Sequence, residues 1–160
     1  MVKKEGVVNT IKAFVIKFNG DTSHHFTSGH CAEFALSLAC YLNNIGIKSS
    51  VDVYIRNEID DETDVIDNAT FSHAVVEALN TTFDIDGNEL EDMPWDSRFD
   101  DGVNRWGLYN SWEILSFPFT TFDETANAIR PICNKYNVAL DTSKCIEYVR
   151  SLTETTNLEY

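Results

Sequence analysis

Apolar positions along this chain recur with two periods, and the change of period marks its elements. Between about residues 30 and 44, Phe34, Leu38, Tyr41 or Leu42, and Ile45 recur at i, i+4, i+7/8 and i+11. That spacing predicts a helix with one apolar face. Ser28 suits its N-cap and Gly46 its C′ position, by side-chain capping and by tolerance of positive φ respectively. The period then drops to two. Val51-Asp52-Val53-Tyr54-Ile55-Arg56 alternates as a strand, and a second strand is expected near Phe71 to Leu79. Asn80-Thr81 would turn the chain into a third strand at Thr82 to Ile85, which Asp86-Gly87 ends. Before all of these, residues 7 to 18 are apolar and β-branched enough to form either a strand or a short helix, and Asn19-Gly20-Asp21 breaks the run.

Beyond the third strand the pattern loosens. Residues 88 to 105 read as irregular, with Pro94, Trp95 and Trp106 pinning a long loop to the body. Trp112 to Leu115 forms a short element before Pro118. A helix is expected from about Phe122 to Tyr136, kinked or interrupted at Pro131, because proline lacks the N–H that a helix interior uses. Asp141 or Thr142 caps a last helix that runs to about Leu152. The order is helix, three strands, then helices. It predicts an α+β fold: a small antiparallel sheet packed against a central helix that carries Cys31 at its N-terminus, with extra C-terminal helices. The 160 residues suit a single domain over 1–160 with a substantial core.

Composition narrows the class. Hydrophobic residues make up 43% and aromatics 12%, which is globular rather than disordered. No apolar run reaches the roughly 20 residues needed to span a bilayer, and no apolar signal core follows the charged start Met1-Val2-Lys3-Lys4-Glu5-Gly6. We therefore expect a cytoplasmic protein with no membrane partner. A net charge of −14 argues against nucleic acid, whose binding rests on Lys and Arg displacing counterions. The acids concentrate at Glu58 to Asp67 and Glu89 to Asp101. Those stretches read as solvated loops, or as an acidic surface for a basic partner. Cys31, Cys40, Cys133 and Cys145 show no CxxC pair and no disulfide framework, so reduced thiols are expected. Nothing here sets the oligomeric state.

Chemistry enters at Thr27-Ser28-Gly29-His30-Cys31-Ala32-Glu33-Phe34-Ala35. With Ser28 as cap, Cys31 falls in the first helical turn, where orphan N–H groups and the positive end of the helix dipole favour a thiolate. Taken alone, this is also what a half-buried cysteine packing at a helix start would look like. About forty residues on, His73 opens the apolar run Ala74-Val75-Val76, where a histidine serves equally as a satisfied structural residue. If Asn80-Thr81 is a two-residue turn, Leu79 pairs with Thr82. His73, Asp84 and Asp86 then share one face by parity. A thiol needs an imidazole to take its proton and a carboxylate to orient that imidazole. All three residue types arrive in elements that can converge, and parity permits either aspartate.

Gly29-His30-Cys31-Ala32-Glu33-Phe34-Ala35 with Leu38 and Leu42, then Gly46-Ile47, His73-Ala74-Val75-Val76 and Phe83-Asp84-Ile85-Asp86-Gly87, resemble the papain-like and transglutaminase-like superfamily. More narrowly, they are similar to small bacterial and phage proteins patterned G-x-C-x-x-F-A, H-A-x-V and D-x-x-G. The resemblance covers residues 24 to 87. It implies Cys31 as nucleophile, His73 as general base and acid, and Asp84, which begins the D-x-x-G match, as the residue orienting His73. Papain carries a glutamine six residues before the cysteine to hold the oxyanion. His25 stands there in this chain, so the Cys31 backbone N–H is the donor that needs no particular side chain. His25, His30 and Asp86 are accessory candidates, and His24 also crowds the approach.

Other readings fit less of the chain. Cys31-Ala32-Glu33 matches half of a zinc deaminase signature, but Pro131-Ile132-Cys133 followed by Cys145 has the wrong order and spacing for the rest. His24, His25, His30 and Cys31 crowd one loop without a second scaffolded pair of ligands. Asp84 to Asn88 lacks the glycine that a calcium loop requires, since Glu89 stands there. The expected function is a thiol-dependent amide hydrolase or acyltransferase that needs no metal or cofactor and acts on a peptide or protein substrate, which the acidic loops would favour as basic. The non-enzyme alternative is an acidic binding or inhibitor protein on the same fold, docking on a basic partner.

Overall fold

The computed structural model describes residues 6, 8–14, 31–83, 89–90 and 107–158. Helix α1 (8–14) makes the described part of the ambiguous first segment helical. Phe14 makes the choice intelligible. Its ring lies 6.0 Å from Phe34, 5.3 Å from Tyr41 and 5.5 Å from Tyr148, so a helix lets one residue join three elements through edge-on and tilted aromatic contacts.

Helix α2 (Cys31–Asn44) is the hub. Every residue from Ala32 to Ala39 is buried, so this stretch is enclosed all round and is not confined to a single apolar stripe. Ile45, expected on the buried face, is 39% exposed, because the helix has ended before it. Gly46 adopts φ +85°. The Ile47 N–H reaches the Leu42 carbonyl at 2.8 Å and the Gly46 N–H reaches Asn43 at 3.0 Å, a Schellman closure with glycine in the left-handed C′ position.

Five strands follow in an antiparallel sheet of order β4-β3-β2-β1-β5. They are β1 (Ser50–Asp60), β2 (Ile66–Ala78), β3 (Thr81–Phe83), β4 (Glu89–Leu90) and β5 (Leu108–Pro118). The fold is α+β, with α2 packed on the sheet. Residues 61–65 close the β1–β2 hairpin, and the Asp60 carboxylate accepts from the N–H groups of Glu62 and Thr63. Much of the first acidic stretch is thus strand rather than loop. The β2–β3 turn is Leu79-Asn80, both at positive φ (55° and 60°), with Ala78 opposite Thr81. It falls one residue earlier than expected, but parity is unchanged. The short element expected at Trp112 is the 11-residue strand β5, which pairs with the whole of β1 from Ser50↔Pro118 to Asp60↔Leu108 without a register break.

Helix α3 (Phe122–Lys135) opens on Thr121, whose side chain accepts from the Glu124 N–H at 3.2 Å, while Glu124 takes the Thr120 hydroxyl at 2.8 Å. Pro131 lies inside this helix. Both Pro131 and Asn127, four residues earlier, are on the exposed side, where water can satisfy the freed carbonyl. Helix α4 (Thr142–Leu158) starts beside Asp141, whose carboxylate accepts from the Lys144 N–H. Among the described residues no helix is long and apolar enough to cross a membrane.

Candidate active site

Cys31 is the first residue of α2, and that position decides its surroundings. The backbone N–H groups of Ala74, Cys31 and Ala32 lie near enough to its sulfur to favour the thiolate. Two belong to the helix start, as its orphan donors should. The third comes from β2, 43 positions later by residue number (74 − 31), and it is the N–H of the residue directly after His73. Ala74 is fully buried.

These donors do not win. Burial pushes the Cys31 thiol up from its ordinary range, and the N–H groups of Ala74, Cys31 and Ala32 only offset part of that rise. The N–H groups of the helix start favour the thiolate, as expected, but removing a half-buried sulfur from water costs more than they return. The other three thiols are raised as well. Burial lifts Cys40. Burial, followed by the neighbouring Cys31 charge, takes Cys133 up to about 11. Burial takes Cys145 up to about 12 against a hydrogen bond from Ser37. Cys133, on α3, is thus a close electrostatic neighbour of Cys31, and nothing in the sequence spacing announced it.

His73 sits where β2 changes its alternation. Tyr54 faces His73 but Ile55 faces Phe71, so Ser72 is an extra residue and forms a β-bulge. Such bulges re-aim side chains. Before the bulge Phe71 packs on the core; after it Ala74, Val76 and Ala78 take the core face with Val51 and Val53. His73, Val75 and Glu77 therefore occupy the opposite face, with Tyr54, Asp52 and Ser50. That face is also enclosed here, since Tyr54, Val75 and Asp52 are all buried. Above the Val76↔Phe83 pair no described β3 residue lies alongside β2.

The structure thus brings Cys31 close to the Ala74 backbone N–H, while His73, the residue before it, is half-buried on the opposite face of β2. Asp84, Asp86, His25 and His30, together with His24, lie outside the described residues. Among the described residues no three His, Cys, Asp or Glu side chains are grouped to hold a metal ion. What the arrangement can do chemically is offset, with backbone N–H groups, part of the cost that burial puts on charge at the Cys31 sulfur. No protein-family model matches the chain, and neither a curated protein nor a solved structure matches it.

Proposed function

We propose that the protein is a thiol-dependent amide hydrolase or acyltransferase in which Cys31 forms the thioester and His73 moves the proton. The observation that carries this reading is that the Ala74 backbone N–H lies near enough to the Cys31 sulfur to favour its thiolate, which brings the cysteine helix to the strand that bears the histidine. In the proposed reaction the sulfur attacks an amide carbonyl. His73 takes the thiol proton, returns it to the departing amine, and then activates water or an acceptor amine. The reading requires the imidazole, on the face of β2 opposite the core, to reach the sulfur. Because burial opposes the thiolate, the imidazole must stabilise it as an ion pair.

Iodoacetamide alkylation of each cysteine as a function of pH tests this. Cys31 is expected to react fastest of the four thiols near neutral pH, and His73→Ala is expected to slow that reaction at least about tenfold there. In an assay of ammonia release and amine incorporation on a glutamine-containing peptide, Cys31→Ala and His73→Ala should each lower turnover by about 10²-fold or more. Labelling of Cys31 no faster than Cys40, with no response to His73→Ala, rejects the catalytic reading.

The raised Cys31 thiol favours one second reading: an acidic binding or inhibitor protein whose cysteine only packs. With a net charge of −14 it would dock on a basic partner, and Cys31→Ala would leave that binding intact.

A further inference from the structure

At the other end of α2 from Cys31, a cavity of about 460 Å³ opens between three helices. Its walls are Cys40 and Asn44 of α2, Phe122 at the start of α3, and Ile146, Val149 and Arg150 of α4. The volume falls within the roughly 300–1,000 Å³ of small-molecule pockets, and the lining has their character: mostly apolar with a few polar groups. Cys40 is nine residues along α2 from Cys31, about 13 Å of helix rise, so this cavity is separate from the thiol site.

We propose that this cavity binds a monocarboxylate with an apolar tail, such as a medium-chain fatty acid, with its carboxylate on Arg150 and its tail among Phe122, Ile146 and Val149. Three observations point to that class. The walls that would take the tail are apolar. Among the described residues the Arg150 guanidinium and the Asn44 amide have no hydrogen-bond or ion-pair partner, so both can receive a ligand. In a chain with 26 acids against 12 Lys plus Arg, an arginine that has no partner among the described residues and lines an apolar cavity is the complement of a carboxylate, which its planar fork can hold in bidentate fashion. Asp123 stands on the α3 wall. It repels a bound anion toward Arg150 and disfavours a doubly charged phosphate more than a single carboxylate. The proposal does not rest on the chemistry of Cys31.

Calorimetric titration of the full chain with decanoate, below its micellar concentration, tests this. One saturable site is expected. Arg150→Gln should weaken decanoate at least about tenfold, roughly 1.4 kcal/mol, and decanol should bind the unaltered chain about as weakly as decanoate binds that variant. Saturating decanoate should also slow iodoacetamide labelling of Cys40 while leaving Cys31 labelling unchanged. The absence of saturable binding overturns the proposal. So does equal affinity in Arg150→Gln, or Cys40 labelling that decanoate does not slow. Arg150 is exposed, so its replacement leaves the fold to report on binding alone.

Discussion

Two carboxyl groups meet on the sheet face away from α2. Asp52, 3% exposed, accepts hydroxyl hydrogen bonds from Ser116 at 2.7 Å and Ser50 at 3.0 Å. Glu77, on the neighbouring strand, is hydrogen-bonded to Asp52, and that bond, with burial and the Asp52 charge, raises its pKa from the usual 4.5. A raised carboxyl pKa means that the folded state holds the proton more tightly than the unfolded one. The associated stability is fully present below about 4.5 and is lost as pH rises through the folded value. At pH 7 the two carboxylates repel. Glu77→Gln should therefore raise stability at pH 7, and below about pH 4.5 the gain should disappear. Glu77 is exposed, so solvent screening holds the effect under about 1 kcal/mol. Urea unfolding at pH 4 and pH 7 measures both. At this scale the sequence shows less than the structure. Residue types and parity were legible at Cys31 and His73. The bulge at Ser72 was not, because an inserted residue leaves no mark on a single run of apolar positions.

Elements read from the chain where a backbone constraint coincided with a change of pattern. Helix α2 was legible because its apolar period stops just where Gly46 supplies a left-handed residue. β5 was not legible, because Trp112-Glu113-Ile114-Leu115 alternates poorly, and Ile114 is 50% exposed. This edge strand is specified by its eleven backbone partners on β1 more than by its own side chains. The stop at Gly46 yields a prediction. A Cβ built there meets nothing within 4 Å, yet φ is +85°, so the whole cost of Gly46→Ala lies in backbone conformation. We expect a loss of about 1–2 kcal/mol in denaturant unfolding. A loss near zero would show that the helix end shifts without strain. At the equivalent turn after α3, Asn137 holds φ 56°, with the Val138 N–H on the Cys133 carbonyl at 2.8 Å. Asparagine tolerates that geometry where most residues do not.

Over the whole molecule, one buried side chain ties the cysteine helix to the C-terminal helix. Glu33 is fully buried in the first turn of α2. Its Oε2 accepts from the Asp141 N–H at 2.8 Å, a contact between residues 108 positions apart. Its carbonyl also receives the Ser37 hydroxyl at 2.8 Å and the Cys145 thiol at 3.5 Å. A carboxyl group at the start of α4 is placed where the helix offers unsatisfied N–H groups and positive potential. This long-range use of Glu33 was invisible in the sequence, where Cys31-Ala32-Glu33 read instead as half of a zinc-site motif. Glu33→Ala removes the acceptor of the part-buried Asp141 hydrogen bond and empties a fully buried side-chain site, so we expect a loss of about 2–3 kcal/mol. Glu33→Gln keeps an acceptor and should lose only about 1 kcal/mol. Hydrogen exchange separates this account from simple cavity formation. In Glu33→Ala the α4 amides should exchange faster before the β1 and β2 amides do, because α4 loses its anchor while the sheet keeps its pairing. If the α4 and sheet amides lose protection together, Glu33 stabilises the core as a whole and does not act as the tie between these two helices.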